Sequence, residues 1–118
     1  MKRSLLLLGL VCLLGLTLIG CNRSGNPRNA VQQLHEAVEK GDRNAIADLM
    51  VPNAFEVLFK FYTLDQLQES YNESGGIASM QETIDNDTAV VVVTYRNGDE
   101  SSYDLVRVDG KWLITLEK

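Results

Sequence analysis

Thr88-Ala89-Val90-Val91-Val92-Val93-Thr94-Tyr95-Arg96-Asn97-Gly98-Asp99 is the stretch that decides the fold class. A β-branched run ends in an aromatic and then meets Asn-Gly, whose tolerance of positive φ makes it a strong hairpin signal. The chain returns over Asp99 to Val108, Asp109-Gly110 repeats the signal, and Lys111 to Leu116 reads as the last strand. Upstream, Ile77 to Ile84 reads as a strand and Asp85-Asn86-Asp87 as its turn. Together these predict a four-stranded antiparallel meander. Strand side chains alternate, so turn length decides which face each residue joins. With two-residue turns, Arg96 faces Asp99, Val92 faces Tyr103, Val90 faces Leu105, Arg107 faces Trp112 and Leu105 faces Ile114. Val90, Val92, Tyr103, Leu105, Trp112, Ile114 and Leu116 then share one face, assigned here to the core. The opposite face carries Val91, Val93, Tyr95, Val106, Val108 and Leu113 among few polar groups. A solvated face alternates more cleanly to polar residues, so these residues form a candidate interaction face.

Towards the N-terminus the apolar period lengthens to that of a helix. Asn26 suits an N-cap and Pro27 a first helical position, and Ala30, Val31, Leu34, Ala37 and Val38 then form one stripe. Gly41 can close that helix in the left-handed conformation, and Asp42 can cap the next. The second helix places Ala45, Ile46, Leu49 and Met50 on one face and stops before Pro52. Ala54 to Tyr62 fits a helix through Phe55, Leu58, Phe59 and Tyr62, or a strand through Phe55, Val57, Phe59 and Phe61. The helix is preferred. Thr63-Leu64-Asp65-Gln66 has the capping-box pattern, Leu64, Leu67 and Tyr71 give its helix a buried side, and Ser74-Gly75-Gly76 ends it. Residues 27–118 are thus expected to form one α+β domain: N-terminal helices packed on a curved, four-stranded antiparallel sheet.

The first residues have a different character. Met1-Lys2-Arg3 is cationic and Leu5 to Ile19 is uncharged, the pattern of a secretory signal and short for a membrane span of about 20 residues. The run ends Leu18-Ile19-Gly20-Cys21, which resembles the lipobox of bacterial lipoproteins. That resemblance implies loss of residues 1–20 as a signal peptide and acylation of Cys21 by palmitate-type chains. Each buried lipid CH₂ contributes about 0.8 kcal/mol, and two or three chains make a stable anchor to the bilayer. Residues 21–26 would be a polar tether reaching at most roughly 17 Å. Asn22, where an Asp resembles an inner-membrane retention signal, implies the outer membrane if the host is Gram-negative. The expected location is the cell envelope.

Removing residues 1–20 from 118 leaves 98, enough for one small domain. Cys12 leaves with the signal and Cys21 is lipidated, so no disulfide is expected. The net charge of −5 becomes −7 without Lys2 and Arg3, which disfavours nucleic acid as a partner.

Lys40-Gly41-Asp42, Asp87-Thr88-Ala89-Val90-Val91 and Asp109-Gly110-Lys111-Trp112-Leu113-Ile114 resemble nuclear-transport-factor-2-like (cystatin-like) domains, and among them small lipoproteins labelled lumazine-binding-like. Leu113 departs from that pattern, which often has Lys there. The resemblance implies a cone between helices and sheet. Phe55, Phe59, Tyr103 and Trp112 are candidate pocket lining, although the same residues suit a filled core. Enzymes of this fold class set an Asp and a Tyr in the cone. Here Tyr103 is predicted inward and Asp104 outward, so no catalytic pair is expected. His35, the single histidine, is predicted exposed or at the edge of the helical stripe. It has no second His or Cys beside it, so neither a metal nor another cofactor is expected. The expected function is a non-catalytic, membrane-anchored envelope module. It would self-associate as a homodimer or bind an envelope protein through the face described above. The alternative is a small-ligand binder, or degenerate enzyme, using the cone.

Overall fold

The computed structural model describes residues 25–116. Cys21, the signal and most of the tether lie outside the described residues. Four helices precede four strands: α1 (Pro27–Lys40), α2 (Arg43–Asp48), α3 (Pro52–Phe61), α4 (Leu64–Ser74), β1 (Ile77–Asp85), β2 (Thr88–Tyr95), β3 (Glu100–Val108) and β4 (Lys111–Thr115). The strands form one antiparallel sheet in the order β1-β2-β3-β4. The fold is α+β, as the sequence predicts.

The helix ends follow from local chemistry. Asn26 caps α1 by accepting from the Asn29 N–H at 2.9 Å, and Gly41 closes it at φ 74°. Asp42 caps α2 through the Ala45 N–H at 3.1 Å. Thr63 and Gln66 make the reciprocal capping box at the start of α4. The ambiguous segment is helical, as α3, and begins with Pro52 in its first turn.

The helices cover one face of the sheet. Val31 and Ile46 are completely buried there beside Leu34, Val38 and Met50, against Val91, Val93, Leu105, Trp112 and Ile114. This buried core lies within residues 30–114, so residues 22–118 carry all of it. Past α2 the chain runs beside β4. The Ile114 N–H donates to the Leu49 carbonyl at 2.8 Å and the Val51 N–H to the Ile114 carbonyl at 2.9 Å. The pairing covers an edge that would otherwise expose unpaired backbone groups. On β1 a bulge between Ile77 and Ser79 turns both Ile77 and Met80 towards the core.

The register of β3 with β4 is the predicted one, Arg107 opposite Trp112 and Leu105 opposite Ile114. That of β2 with β3 is not. Thr94 pairs with Glu100 and Val91 with Tyr103, one residue away from the two-residue alignment. The loop is Arg96-Asn97-Gly98, closed by Gly98 N–H to the Tyr95 carbonyl and Tyr95 N–H to the Asp99 carbonyl, both at 2.9 Å. Gly98 takes φ 95°, the three-residue hairpin with a left-handed final residue. One residue of slip exchanges the faces of the whole strand. Ala89, Val91, Val93 and Tyr95 are therefore core, while Val90 is 38% exposed and Val92 half-buried on the outside.

Candidate ligand-binding site

His35 follows Leu34 on the inward side of α1 and is only 6% exposed. The expectation of an exposed or edge histidine is corrected. Its ring folds back on its own helix, and Nδ1 lies 2.8 Å from the Val31 carbonyl, four residues earlier. A carbonyl only accepts, so Nδ1 carries the proton and Nε2 is the acceptor. Tyr95 Oη lies 2.8 Å from Nε2 and donates to it. Tyr103 Oη is 3.2 Å from Tyr95 Oη and 3.3 Å from Nε2. Ser101 lines the same cavity as Tyr103. The rings of Tyr71, Tyr95 and Tyr103 surround the imidazole at centroid distances of 5.5, 5.7 and 5.6 Å.

Burial favours the uncharged form of His35 and of Tyr103. It lowers the His35 pKa below its usual 6.5, against the smaller raising effect of the Val31 hydrogen bond. It raises the Tyr103 hydroxyl, with the neighbouring Tyr95 adding to the rise. At neutral pH His35 is a neutral imidazole and Tyr103 a protonated phenol.

This has a consequence for stability. Below pH 6.5 the unfolded chain protonates its histidine while the folded chain does not, so the unfolded state binds more protons and stability drops as the pH is lowered. Stability attributable to His35 is constant above about pH 7.5, declines through 6.5, and is lost in full below the depressed folded value. Urea melts from pH 5 to 8 should show this slope in wild type, and His35→Gln should flatten it. An equal slope in the variant would assign the effect to other groups.

Above the cluster is a cavity of about 450 Å³ between α1, α4 and the sheet. His35, Tyr95 and Tyr103 form its floor. Leu34, Val38, Met50, Leu58, Leu67 and Ile114 supply apolar wall, with Tyr71 beside them. Exposed Ser70, Glu73, Asn97, Asp99, Glu100 and Leu116 form the mouth, by the β2–β3 turn. On the far side of His35 and Tyr71 a shallower groove carries Glu36, Glu39 and Arg96. Among the described residues no three His, Cys, Asp or Glu side chains gather as metal ligands do. No helix among them is long and apolar enough to cross a membrane.

The sheet packed against the helices has a solved counterpart. A protein from Campylobacter jejuni described as a candidate NTF2-like transpeptidase matches at TM-score 0.54 and 20% identity, over 78% of this chain and 99% of that one. The fold is NTF2-like. A described candidate calcium/calmodulin-dependent protein kinase II association domain from Xanthomonas campestris matches at TM-score 0.39 and 20% identity, over 75% of this chain and 83% of that one. No protein-family model matches the sequence, and no curated protein does.

Within this NTF2-like cone the candidate residues fall into place unevenly. Tyr103 lines the cavity. Phe55 and Phe59 do not: their rings meet at a tilt with centroids 5.0 Å apart and lie under the Arg43 guanidinium, 4.0 Å from the Phe59 ring. Trp112 is inward and 3% exposed, but it sits near the β3–β4 turn, at the opposite end of the sheet from the mouth. Of the candidate interaction face, Val91, Val93 and Tyr95 are buried by the shifted register. Val106, Val108 and Leu113 remain outside, joined by Val90 and Val92. Asp104 points away from the cone beside Tyr103, so this pair does not converge. Sequence reasoning missed His35 and Tyr95. Their signals were the place of His35 beside Leu34, four residues from Val31, and the shared parity of Tyr95 with Val91 and Val93.

Proposed function

We propose that this protein is a lipid-anchored, non-catalytic binding protein of the bacterial cell envelope, and that the NTF2-like cone takes a small molecule. The observation that carries the reading is the open 450 Å³ cavity with the His35–Tyr95–Tyr103 cluster on its floor. Ligand sites are concave, mainly apolar and equipped with a few placed polar groups. A domain this small, holding such a space beside a buried polar cluster, forgoes packing that would stabilise it. Binding is favoured over acid–base chemistry because the basic nitrogen of the cluster, His35 Nε2, is already engaged by Tyr95.

The fluorescent neutral amine N-phenyl-1-naphthylamine tests the cone directly. With residues 22–118 its emission should rise on binding. Ser70→Trp, at an exposed position of the mouth, should plug the cavity and weaken the probe at least about tenfold without changing the melting temperature, a loss of roughly 1.4 kcal/mol. Equal binding by the variant would place the probe elsewhere.

The envelope part of the reading rests on Leu18-Ile19-Gly20-Cys21. α1 begins at Pro27, where the Arg28 N–H bonds Glu82 towards the β1–β2 end of the sheet, while the mouth lies at the β2–β3 turn. A tether attached there would hold the mouth away from the bilayer, in a Gram-negative host on the outer membrane. Intact mass of membrane-extracted protein should show an acylated Cys21 as first residue, and Cys21→Ser should remain an unlipidated precursor. An unmodified wild-type Cys21 would sink this part alone.

Self-association, or docking of an envelope protein, is the second reading. It is favoured by Val90, Val92, Val106, Val108 and Leu113 on the uncovered face of the sheet. Light scattering on wild type and on Val90→Lys separates a dimer from a monomer, and a wild-type monomer at high micromolar concentration argues against a homodimer.

A further inference from the structure

We propose that the cone selects an uncharged, largely apolar molecule that presents one accepting oxygen, a carbonyl or an ether, to the Tyr103 hydroxyl. The inference rests on the ligand-binding reading above and names its chemical class.

The protons of the cluster can be followed one by one. The Nδ1 proton of His35 is used on the Val31 carbonyl at 2.8 Å. The single in-plane lone pair of Nε2 is taken by Tyr95 at 2.8 Å. The Tyr103 hydroxyl makes two long hydrogen bonds, to Tyr95 Oη at 3.2 Å and to the already engaged Nε2 at 3.3 Å. Hydroxyl hydrogen bonds to oxygen ordinarily span about 2.5–3.0 Å. Both contacts of Tyr103 are thus longer than that range, and its side chain lines the cavity, where a ligand oxygen can take the proton at shorter distance. A ligand oxygen offered from the cavity would accept the Tyr103 proton, with Tyr95 and His35 holding the phenol in place.

The rest of the lining sets the charge. It contains no Lys or Arg, while Glu73, Asp99 and Glu100 stand at the mouth. An anion would lose its hydration with no counter-charge to replace it, and would pass three carboxylates on the way in. A cation suits the mouth but meets donors at the floor. Apolar wall accounts for the remaining contact area, which fits a neutral body of one or two rings in 450 Å³.

The test is competition against N-phenyl-1-naphthylamine on residues 22–118 with four probes of one shape: 2-acetylnaphthalene, 2-ethylnaphthalene, 2-naphthoate and protonated 2-(aminomethyl)naphthalene. The decisive quantity is the effect of Tyr103→Phe, since comparison within one probe cancels differences in hydrophobicity. Tyr103→Phe should weaken 2-acetylnaphthalene about tenfold and leave 2-ethylnaphthalene within about twofold. In wild type the carbonyl of ¹³C-labelled 2-acetylnaphthalene should move downfield on binding, a readout that needs no variant. Equal effects of Tyr103→Phe on both neutral probes, an unmoved carbonyl signal, or tighter binding of either charged probe than of 2-acetylnaphthalene would overturn the proposal while leaving the cone a binding site. If neither N-phenyl-1-naphthylamine nor any of the four probes binds, the cone reading falls and this inference with it.

Discussion

Val91→Lys is expected to leave little folded protein at room temperature, while Val90→Lys melts within a few degrees of wild type. Val91 is completely buried between the helices and the sheet, and Val90 is 38% exposed on the outer face. A lysine at position 91 has no partner among its apolar neighbours. It must either bury a charge or give up its proton, and buried lysines have pKa values lowered by up to 3–5 units. At about 1.4 kcal/mol per unit that is a cost of roughly 4–7 kcal/mol, comparable with the whole stability of a small domain. At position 90 the ammonium reaches water and its stem covers the apolar surface, so the change is small. Circular dichroism at 25 °C and a thermal melt read both variants. The reverse result, with Val91→Lys folded and Val90→Lys unfolded, would restore the two-residue turn and invert β2.

Trp112→Ala should lower stability by about 3–5 kcal/mol, the range for a fully buried large aromatic. In a domain of this size that is a fall in melting temperature of about 15–30 °C. The ring is 3% exposed on the inner side of β4, opposite Arg107. The Arg107 guanidinium lies 4.9 Å above it and is held by Asp87 at 3.0 Å. Truncation would open a void beneath this lid that the paired strands cannot collapse to fill. Arg107→Ala, by contrast, removes a half-exposed stacking partner and should cost about 1 kcal/mol or less. Urea titrations of the two variants provide the check. A Trp112→Ala protein no less stable than Arg107→Ala would place the ring outside the core.

Much of this protein was legible in its sequence because the signals are local. Asn26, Asp42 and Thr63 cap the helices through atoms three residues away, and Gly41 and Gly75 close them with positive φ. Asp109-Gly110 takes positive φ at both residues, the tight turn that keeps Leu105 opposite Ile114 and Trp112 inward. The proposal of a signal and of a lipidated Cys21 rests on sequence alone, since residues 1–24 lie outside the described residues. Asn97-Gly98 was not decidable in this way, because the dipeptide suits both a two- and a three-residue loop. Tertiary contacts choose: the Arg96 N–H donates to the Gly76 carbonyl at 2.9 Å and the Asn97 N–H to the Ser74 carbonyl at 3.0 Å, fastening the turn to the end of α4. The period of a strand is two, so this one choice sends Tyr95 inward to His35 and Val90 outward to solvent. The site has the same origin. His35 is polar on an apolar helix, and only hydroxyls 60 and 68 residues further along the chain make its burial favourable.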